Sequence, residues 1–230
     1  MIYNLHSLNQ TENTDSAGAM CTALFYLLSH ELRNPLASII SSSDFYLNHQ
    51  YTLSGSKKSE LVTYMNHDSH QLFSIMENVL SICKLSASPL SFTDEALDAI
   101  ITAALHRIRM KAPAISISIS APTDILLISM DTVLLQHAFM LVFDMIYSQV
   151  SPDTPLTCEI TVADSNAQIQ VFANCTSNKL GSVQEESIQT EFQICNLIIK
   201  AHQGALSSIS NPMFFAYTIT LPLKENSYDV

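Results

Sequence analysis

The octapeptide Ser29–Leu36 contains three side chains whose types and spacing could carry out chemistry. His30 is followed directly by Glu31, and Asn34 comes one helical turn later. On a helix, Glu31 and Asn34 share a face next to His30. A solvent-facing imidazole beside a carboxylate suits acceptance of a phosphoryl group, because the carboxylate orients the ring and takes its proton while the other ring nitrogen attacks. The alternative interpretation is a surface histidine on a kinked helix.

The seven residues His30–Leu36 (HELRNPL) resemble the H-box of sensor histidine kinases, in which the histidine carries the phosphoryl group. The resemblance implies a catalytic role for each polar residue of the motif. His30 is the expected phosphoryl acceptor and Glu31 the expected base. Asn34 is expected to position the water that dephosphorylates a receiver domain.

Two long helices are expected to hold this motif. Apolar residues at steps of three and four predict a helix over residues 19–50, kinked at Pro35, and a second helix over residues 57–86 after a turn. The apolar stripe of the first helix is Leu24, Phe25, Leu28, Leu32, Leu36, Ile39, Ile40 and Leu47, and the inner face of the second is Leu61, Met65, Leu72, Ile75, Met76, Val79, Ile82 and Leu85. A lone hairpin cannot cover both stripes, so we expect a homodimer that forms a four-helix bundle.

The pattern changes to mixed α and β after Ala87-Ser88-Pro89, which is the predicted domain boundary. The expected elements are a helix over 92–111 with Thr93 as N-cap, strands over 115–120 and 125–129, a helix over 131–148 opened by Asp131, strands over 157–163 and 167–173, a helix near 189–203 ended by Gly204, and strands near 205–210 and 214–221. A loop of about 15 residues is expected before the last helix. This order predicts an α/β sandwich with helices on one face of a mixed sheet.

This order after a histidine-bearing hairpin resembles the ATP-binding domain of histidine kinases, in particular the Kdp potassium-sensor type. The segments that carry the resemblance are Asp131–Met145, Ser151–Pro155, Ile194–Gly204 and Thr218–Pro222. The implied fold class is α+β. Residues 1–18 are expected as a polar N-terminal segment, residues 19–88 as the dimerising phosphoacceptor hairpin, and residues 89–230 as a degenerate Bergerat-type α/β sandwich.

The nucleotide-binding residues of that family are missing at the matching positions. The asparagine that holds magnesium falls on Met145, whose thioether is a poor ligand for a hard cation. The residues that replace the family's nucleotide ligands are Leu141, Met145, Ala173, Cys175, Ser177, Glu191 and Phe192. The chain has 4 glycines in all, so a shifted alignment cannot restore glycine-rich phosphate loops. We therefore expect neither ATP nor magnesium as a cofactor, and magnesium only as a requirement of a partner receiver.

Composition limits the remaining function classes. The net charge of −11 argues against nucleic acid and against an anionic membrane surface. No apolar run reaches the roughly 18 residues of a membrane span, and the polar N-terminus does not resemble a signal peptide. The 5 cysteines, none at CxxC spacing, suit small hydrophobic residues in a reducing compartment. These features predict a cytoplasmic protein without a metal centre.

Other polar residues have structural interpretations. His202 is expected to cap the end of the last helix. His67 and His70 could in principle bind a metal with Asp68, but a solvated helix face is the favoured interpretation. The Ser41–Ser43 run is either an inert small-residue surface or, as the resemblance implies, part of a surface that faces a response regulator. Met65, Met76, Met140 and Met145 are expected as core fillers.

The favoured function is a histidine phosphotransferase or phosphatase that acts on response-regulator receiver domains through His30 and does not bind ATP. A sensor kinase is a further candidate partner. One alternative is a sensor histidine kinase with a divergent ATP site. Another is a non-catalytic pseudokinase that binds a kinase or a receiver, although such a protein has no need of His30, Glu31 and Asn34.

Overall fold

The computed structural model describes residues 8–86, 89–111, 115–151, 154–174, 182–211 and 214–224. The chain divides into two compact units, residues 1–88 and residues 89–230. The first unit is a helical hairpin and the second combines a sheet with helices. The expected α+β class, a helical hairpin followed by an α/β sandwich, is confirmed.

The first unit consists of α1 (Leu8–His49) and α2 (Gly55–Ser86). The turn between them is closed by the backbone N–H groups of Thr52 and Leu53, which both donate to the carbonyl of His49. Helix α1 begins at Leu8 rather than at residue 19, so much of the expected polar N-terminal segment is helical. Pro35 lies inside α1, which continues through it as helix.

Each helix of the hairpin has one buried face and one exposed apolar face. The buried apolar residues include Leu28 on α1 and Leu61, Ile75 and Ile82 on α2. The exposed apolar residues, which we call the seam, are Leu36, Ile40 and Leu47 on α1 and Val62, Phe73, Met76 and Leu80 on α2. Their spacings fit a heptad pattern, in which such residues form one stripe along each helix. Met76, predicted on the inner face of α2, is 49% exposed in the single hairpin. This exposure fits the expectation that a lone hairpin leaves part of its apolar stripes uncovered.

The second unit contains a five-stranded sheet in the order β2-β4-β5-β7-β6. Its strands are β2 (Ile117–Ser120), β4 (Leu156–Ala163), β5 (Asn166–Asn174), β6 (Ala205–Asn211) and β7 (Phe214–Pro222). Strands β2 and β4 are parallel, and the other neighbours are antiparallel. A separate antiparallel pair is formed by β1 (Thr93–Ala96) and β3 (Leu127–Met130).

Three helices of the described chain form the second layer of this unit. They are α3 (Leu97–Lys111), α4 (Thr132–Gln149) and α5 (Ser182–Ala201), with α4 packed between the other two and against the sheet. Most of α4 is buried, which explains its nearly continuous apolar sequence. As predicted, Asp131 is its N-cap, and the Asp131 carboxylate accepts a hydrogen bond from the N–H of Leu134 at 3.2 Å.

Two predicted element boundaries in the second unit were wrong. Residues Thr93–Ala96 form β1 instead of the first turn of a helix, so Thr93 is not an N-cap. Pairing with β3 outweighs the low strand preference of Asp, Glu and Ala. Helix α5 starts at Ser182 rather than near residue 189, so the expected long loop is shorter. Within the described residues, no helix has the length and hydropathy needed to cross a membrane.

Candidate functional site

The residues of the predicted phosphoacceptor motif lie in the middle of α1. Glu31 is half-buried and Asn34 is exposed, whereas the His30 side chain lies outside the described part of the structure. Positions 30, 34, 37 and 41 share one face because helical neighbours recur at three- and four-residue steps. The described members of that face, Asn34, Ala37 and Ser41, are all exposed to solvent. The described part of this face of α1 is therefore open to solvent.

The two helices are joined near this face by a hydrogen bond that the sequence did not reveal. Ser38 donates its hydroxyl to the Asp68 carboxylate at 2.5 Å. Ser38 lies two residues from both Leu36 and Ile40, about 200° around the helix. The Ser38–Asp68 contact thus lies on the opposite side of α1 from the seam. The hairpin has two distinct surfaces, one apolar and one that carries Asn34, Ser38 and Asp68.

The histidines near Asp68 are open to solvent. His67 Nδ1 lies 3.4 Å from Asp68, and 75% of the His67 side chain is exposed. His70 is also exposed. These positions fit the predicted solvated face. Among the residues that the structure describes, no group of three or more His, Cys, Asp or Glu side chains could hold a metal ion.

In the second unit, the positions that correspond to nucleotide ligands are part of the core. Leu141 is 2% exposed and Met145 is 0% exposed, so both side chains are enclosed by protein atoms. Ala173, near the end of β5, is also buried. An isobutyl group, a thioether and a methyl group cannot coordinate magnesium or bind a purine amino group. Cys175 and Ser177 lie outside the described residues.

The segment that corresponds to the later glycine-rich box is helical. Glu191 and Phe192 lie about two turns inside α5. Their backbone N–H groups are therefore donors in the i→i−4 ladder of this helix, whereas a phosphate site needs free N–H groups at a helix start or in a glycine-rich loop. The described backbone at these positions does not form a phosphate cradle.

An aromatic and amide cluster lies beside this part of α5. The side-chain NH₂ of Gln149 donates to the carbonyl of Met145 at 2.8 Å and to the Tyr217 hydroxyl at 3.0 Å. The rings of Phe192 and Tyr217 are 6.1 Å apart. Burial and the negative charge of Glu191 raise the pKa of Tyr217, while the Gln149 hydrogen bond acts in the opposite direction. The one sequence signal for this cluster is the position of Gln149, one helical turn after Met145.

Comparisons with known proteins agree with this two-unit architecture. A family model described as the His Kinase A (phospho-acceptor) domain matches residues 22–88. Over 203 residues, the chain is 23% identical to the sensor protein KdpD of Clostridium acetobutylicum, an alignment that covers 80% of this chain and 22% of the relative. The chain thus spans about a fifth of the length of that curated relative.

Solved structures of histidine kinases share the fold. The histidine kinase AdeS of Acinetobacter baumannii matches with a TM-score of 0.62 and 12% identity, covering 85% of this chain and 98% of its own. The histidine kinase ThkA, solved in complex with the response regulator protein TrrA, matches with a TM-score of 0.63 and 16% identity, covering 96% of this chain and 67% of its own. At these identities the likeness concerns the fold alone. The phosphoacceptor-domain match over residues 22–88 and the sensor-protein relative add a sequence likeness to two-component sensor histidine kinases.

Proposed function

We propose that this chain is a two-component phosphorelay protein in which His30 exchanges a phosphoryl group with a response-regulator receiver domain and which does not bind ATP. The observation that carries the proposal is the burial of Leu141 and Met145, at 2% and 0% exposure, where the family resemblance expects nucleotide and magnesium ligands. The helical backbone at Glu191 and Phe192 supports it independently.

The proposed transfer needs only the motif on α1 and a phosphorylated receiver. A ring nitrogen of His30 attacks the phosphorus of the receiver's aspartyl phosphate, a nitrogen–phosphorus bond forms, and the phosphorus–oxygen bond to the aspartate breaks with its electron pair left on the carboxylate. The proton of the other ring nitrogen passes to Glu31. In the hydrolytic direction, Asn34 orients a water toward the aspartyl phosphate. Magnesium is then needed by the receiver.

The proposed assembly is a homodimer closed through the seam. The seam residues are 47–60% exposed, for example Ile40 at 52% and Leu80 at 60%, which is unfavourable for large apolar side chains in water. A second copy carries the same heptad-spaced stripe and would bury both at once in a four-helix bundle. The homodimer therefore follows from apolar surface that one hairpin leaves uncovered.

The proposed receiver-binding surface lies on the other side of α1. Asn34 and Ser41 are exposed there, and Ser38 is bonded to Asp68. Small polar side chains let a partner backbone approach closely, so this side can admit a receiver next to His30. The structural likeness to ThkA in its complex with a response regulator makes a receiver the first partner to test. A sensor kinase is the second.

A sensor histidine kinase with a divergent nucleotide site is the second candidate function. The similarity to the sensor protein KdpD favours it, as does the shared fold with kinases. The two candidates differ in the source of the phosphoryl group. One takes it from a receiver and the other takes it from ATP.

Labelling with two phosphoryl donors distinguishes these candidates. The full chain is incubated with radiolabelled ATP and magnesium, and separately with receiver domains phosphorylated by labelled acetyl phosphate. We expect no label from ATP and transfer from at least one receiver, with His30→Gln abolishing the transfer and the matched exposed histidine variant His70→Gln retaining it. ATP-dependent labelling of His30 would overturn the proposal in favour of the sensor kinase. A stable receiver or kinase complex without any labelling would indicate a non-catalytic pseudokinase instead.

A further inference from the structure

A small pocket on the second unit has no role in the proposed phosphotransfer. It encloses about 100 Å³ and is lined by Leu97, Asp98, Ala121, Pro122, Thr123, Asp124, Ile125, Leu126 and Ile160. Its wall is the loop between β2 and β3 together with the start of α3, which are joined by the hydrogen bond from the N–H of Leu97 to the carbonyl of Leu126 at 2.9 Å. One wall of the pocket is therefore fixed by the first residue of α3.

The size of the pocket decides what class of ligand fits. Sites for small molecules and cofactors usually enclose about 300–1,000 Å³. At about 100 Å³, this pocket is too small for a nucleotide, and its volume is suited to part of one amino-acid side chain. A side chain presented by a partner protein is therefore the suitable occupant.

The lining combines an apolar floor with an acidic rim. Leu97 and Ile160 are buried at 0% and 5% exposure, whereas Asp98 and Asp124 are exposed. Within the described chain, neither of these carboxylates has an ion pair or side-chain hydrogen bond. Asp98 lies in the first turn of α3, where its negative charge stabilises the helix. Asp124 lies on the loop between β2 and β3, where its charge does not stabilise a helix.

This combination matches the chemistry of a lysine or arginine side chain. Such side chains bury their methylene stems along apolar surface while the charged head stays at a polar rim. Ile125, 70% exposed beside the acidic pair, adds apolar surface that a partner would cover. The net charge of −11 favours the approach of a basic partner. We propose that this pocket binds a basic side chain of a partner protein, with Asp98 and Asp124 as its anionic contacts.

Amide chemical shifts of the full chain test this pocket with defined probes. N-acetyl-arginine methylamide and its lysine counterpart should shift the amides of residues 97–98 and 123–126 at millimolar concentration. N-acetyl-norleucine methylamide, which has the apolar stem without the charge, should bind roughly 1.4-fold to fivefold more weakly, since this is the range expected from one exposed ion pair. Added salt should reduce the difference.

Charge-neutral variants identify the contacts. The double variant Asp98→Asn/Asp124→Asn should bind the arginine and norleucine probes equally. Asp164→Asn removes an equal charge at the exposed β4–β5 turn and should leave the preference for arginine intact. Equal shifts by the norleucine and arginine probes on the unmodified chain, or no shift in the pocket with either cationic probe, would overturn the proposal. These outcomes are independent of His30 labelling.

Discussion

His202 joins the end of α5 to the start of α4 through Asp131. The backbone N–H of Asp131 donates to His202 Nε2 at 3.0 Å, and His202 Nδ1 donates to the carbonyl of Ile198 at 2.7 Å. Nε2 accepts a hydrogen bond and therefore carries no proton, whereas Nδ1 must carry one because its partner, a carbonyl oxygen, can only accept. The imidazole is thus neutral, with its proton on Nδ1. The predicted capping role is therefore present, together with a second contact across 71 residues of sequence.

Replacing His202 with alanine should destabilise the second unit by about 2–4 kcal/mol, because the buried N–H of Asp131 and the carbonyl of Ile198 both lose their partner. The free energy of unfolding from urea denaturation measures the effect. His106→Ala, at an exposed histidine of α3, is the matched control and should change stability by no more than about 0.5 kcal/mol. Equal effects of the two variants would show that the His202 contacts contribute nothing specific.

Replacing Gln203 with glycine should stabilise the fold. Gln203 follows α5 with a φ of 60°, a left-handed conformation that costs a side chain about 1–2 kcal/mol and costs glycine little. Glycine also makes the unfolded chain more flexible, which lowers the free energy of unfolding by about 0.5–1 kcal/mol. The expected net increase in the free energy of unfolding is about 0.5–1 kcal/mol. Gln193→Gly, inside the same helix, should instead lower stability by about 1 kcal/mol. A loss of stability in both variants would contradict the prediction, and thermal or urea unfolding provides the comparison.

Placing a charge in the seam should separate the proposed dimer. Ile40→Glu puts a carboxylate where two copies would bury an apolar side chain, and an unpaired buried charge is strongly unfavourable. We expect a monomer by light scattering after size exclusion. Val133→Glu, at an apolar residue of α4 that is 66% exposed, is the control and should remain dimeric. A dimer that persists in Ile40→Glu would place the interface elsewhere.

Thiol reactivity should follow burial. Burial raises the pKa of Cys158 to about 12, and burial together with the charge of Glu191 raises the pKa of the Cys195 thiol. At pH 8 the reactive thiolate is therefore scarcer at both residues than at an ordinary cysteine, whereas Cys83 is exposed. Of these three cysteines, iodoacetamide should modify only Cys83 before unfolding, and should modify it fastest in the Ile40→Glu variant, in which no second copy covers the seam; peptide mass spectrometry would show this. Early modification of Cys195 in the folded chain would contradict its burial.

Elements with strong local signals could be predicted from the sequence. The N-cap at Asp131 combines a capping side chain with a following apolar run, and the strands β4 and β5 alternate in polarity. Strand β1 lacks such a signal. Its four residues are held by pairing with β3, from Thr93 to Met130, which no local pattern reveals.

The helix that carries the candidate site could be predicted from the sequence, whereas the contacts between elements around it could not. The spacing of His30, Glu31 and Asn34 falls within one helix, so the motif could be placed on α1 from sequence. The Ser38–Asp68 hydrogen bond joins two helices, and the cluster of Gln149 with Tyr217 joins a helix to a strand. Such partners depend on packing, which the residue types alone do not specify.

Asn34 should be needed for dephosphorylation of a receiver and dispensable for phosphoryl transfer to His30. Its exposed amide lies on the same face of α1 as position 30, where it can orient a water, whereas transfer to the imidazole uses no water. Asn34→Ala should therefore slow release of phosphate from a phosphorylated receiver by about 10²-fold or more, while labelling of His30 persists. Asn48→Ala, at an exposed asparagine near the end of the same helix, should change neither rate. Loss of both activities in Asn34→Ala would instead indicate that the amide supports receiver docking, and unchanged phosphate release would exclude its role in positioning the water.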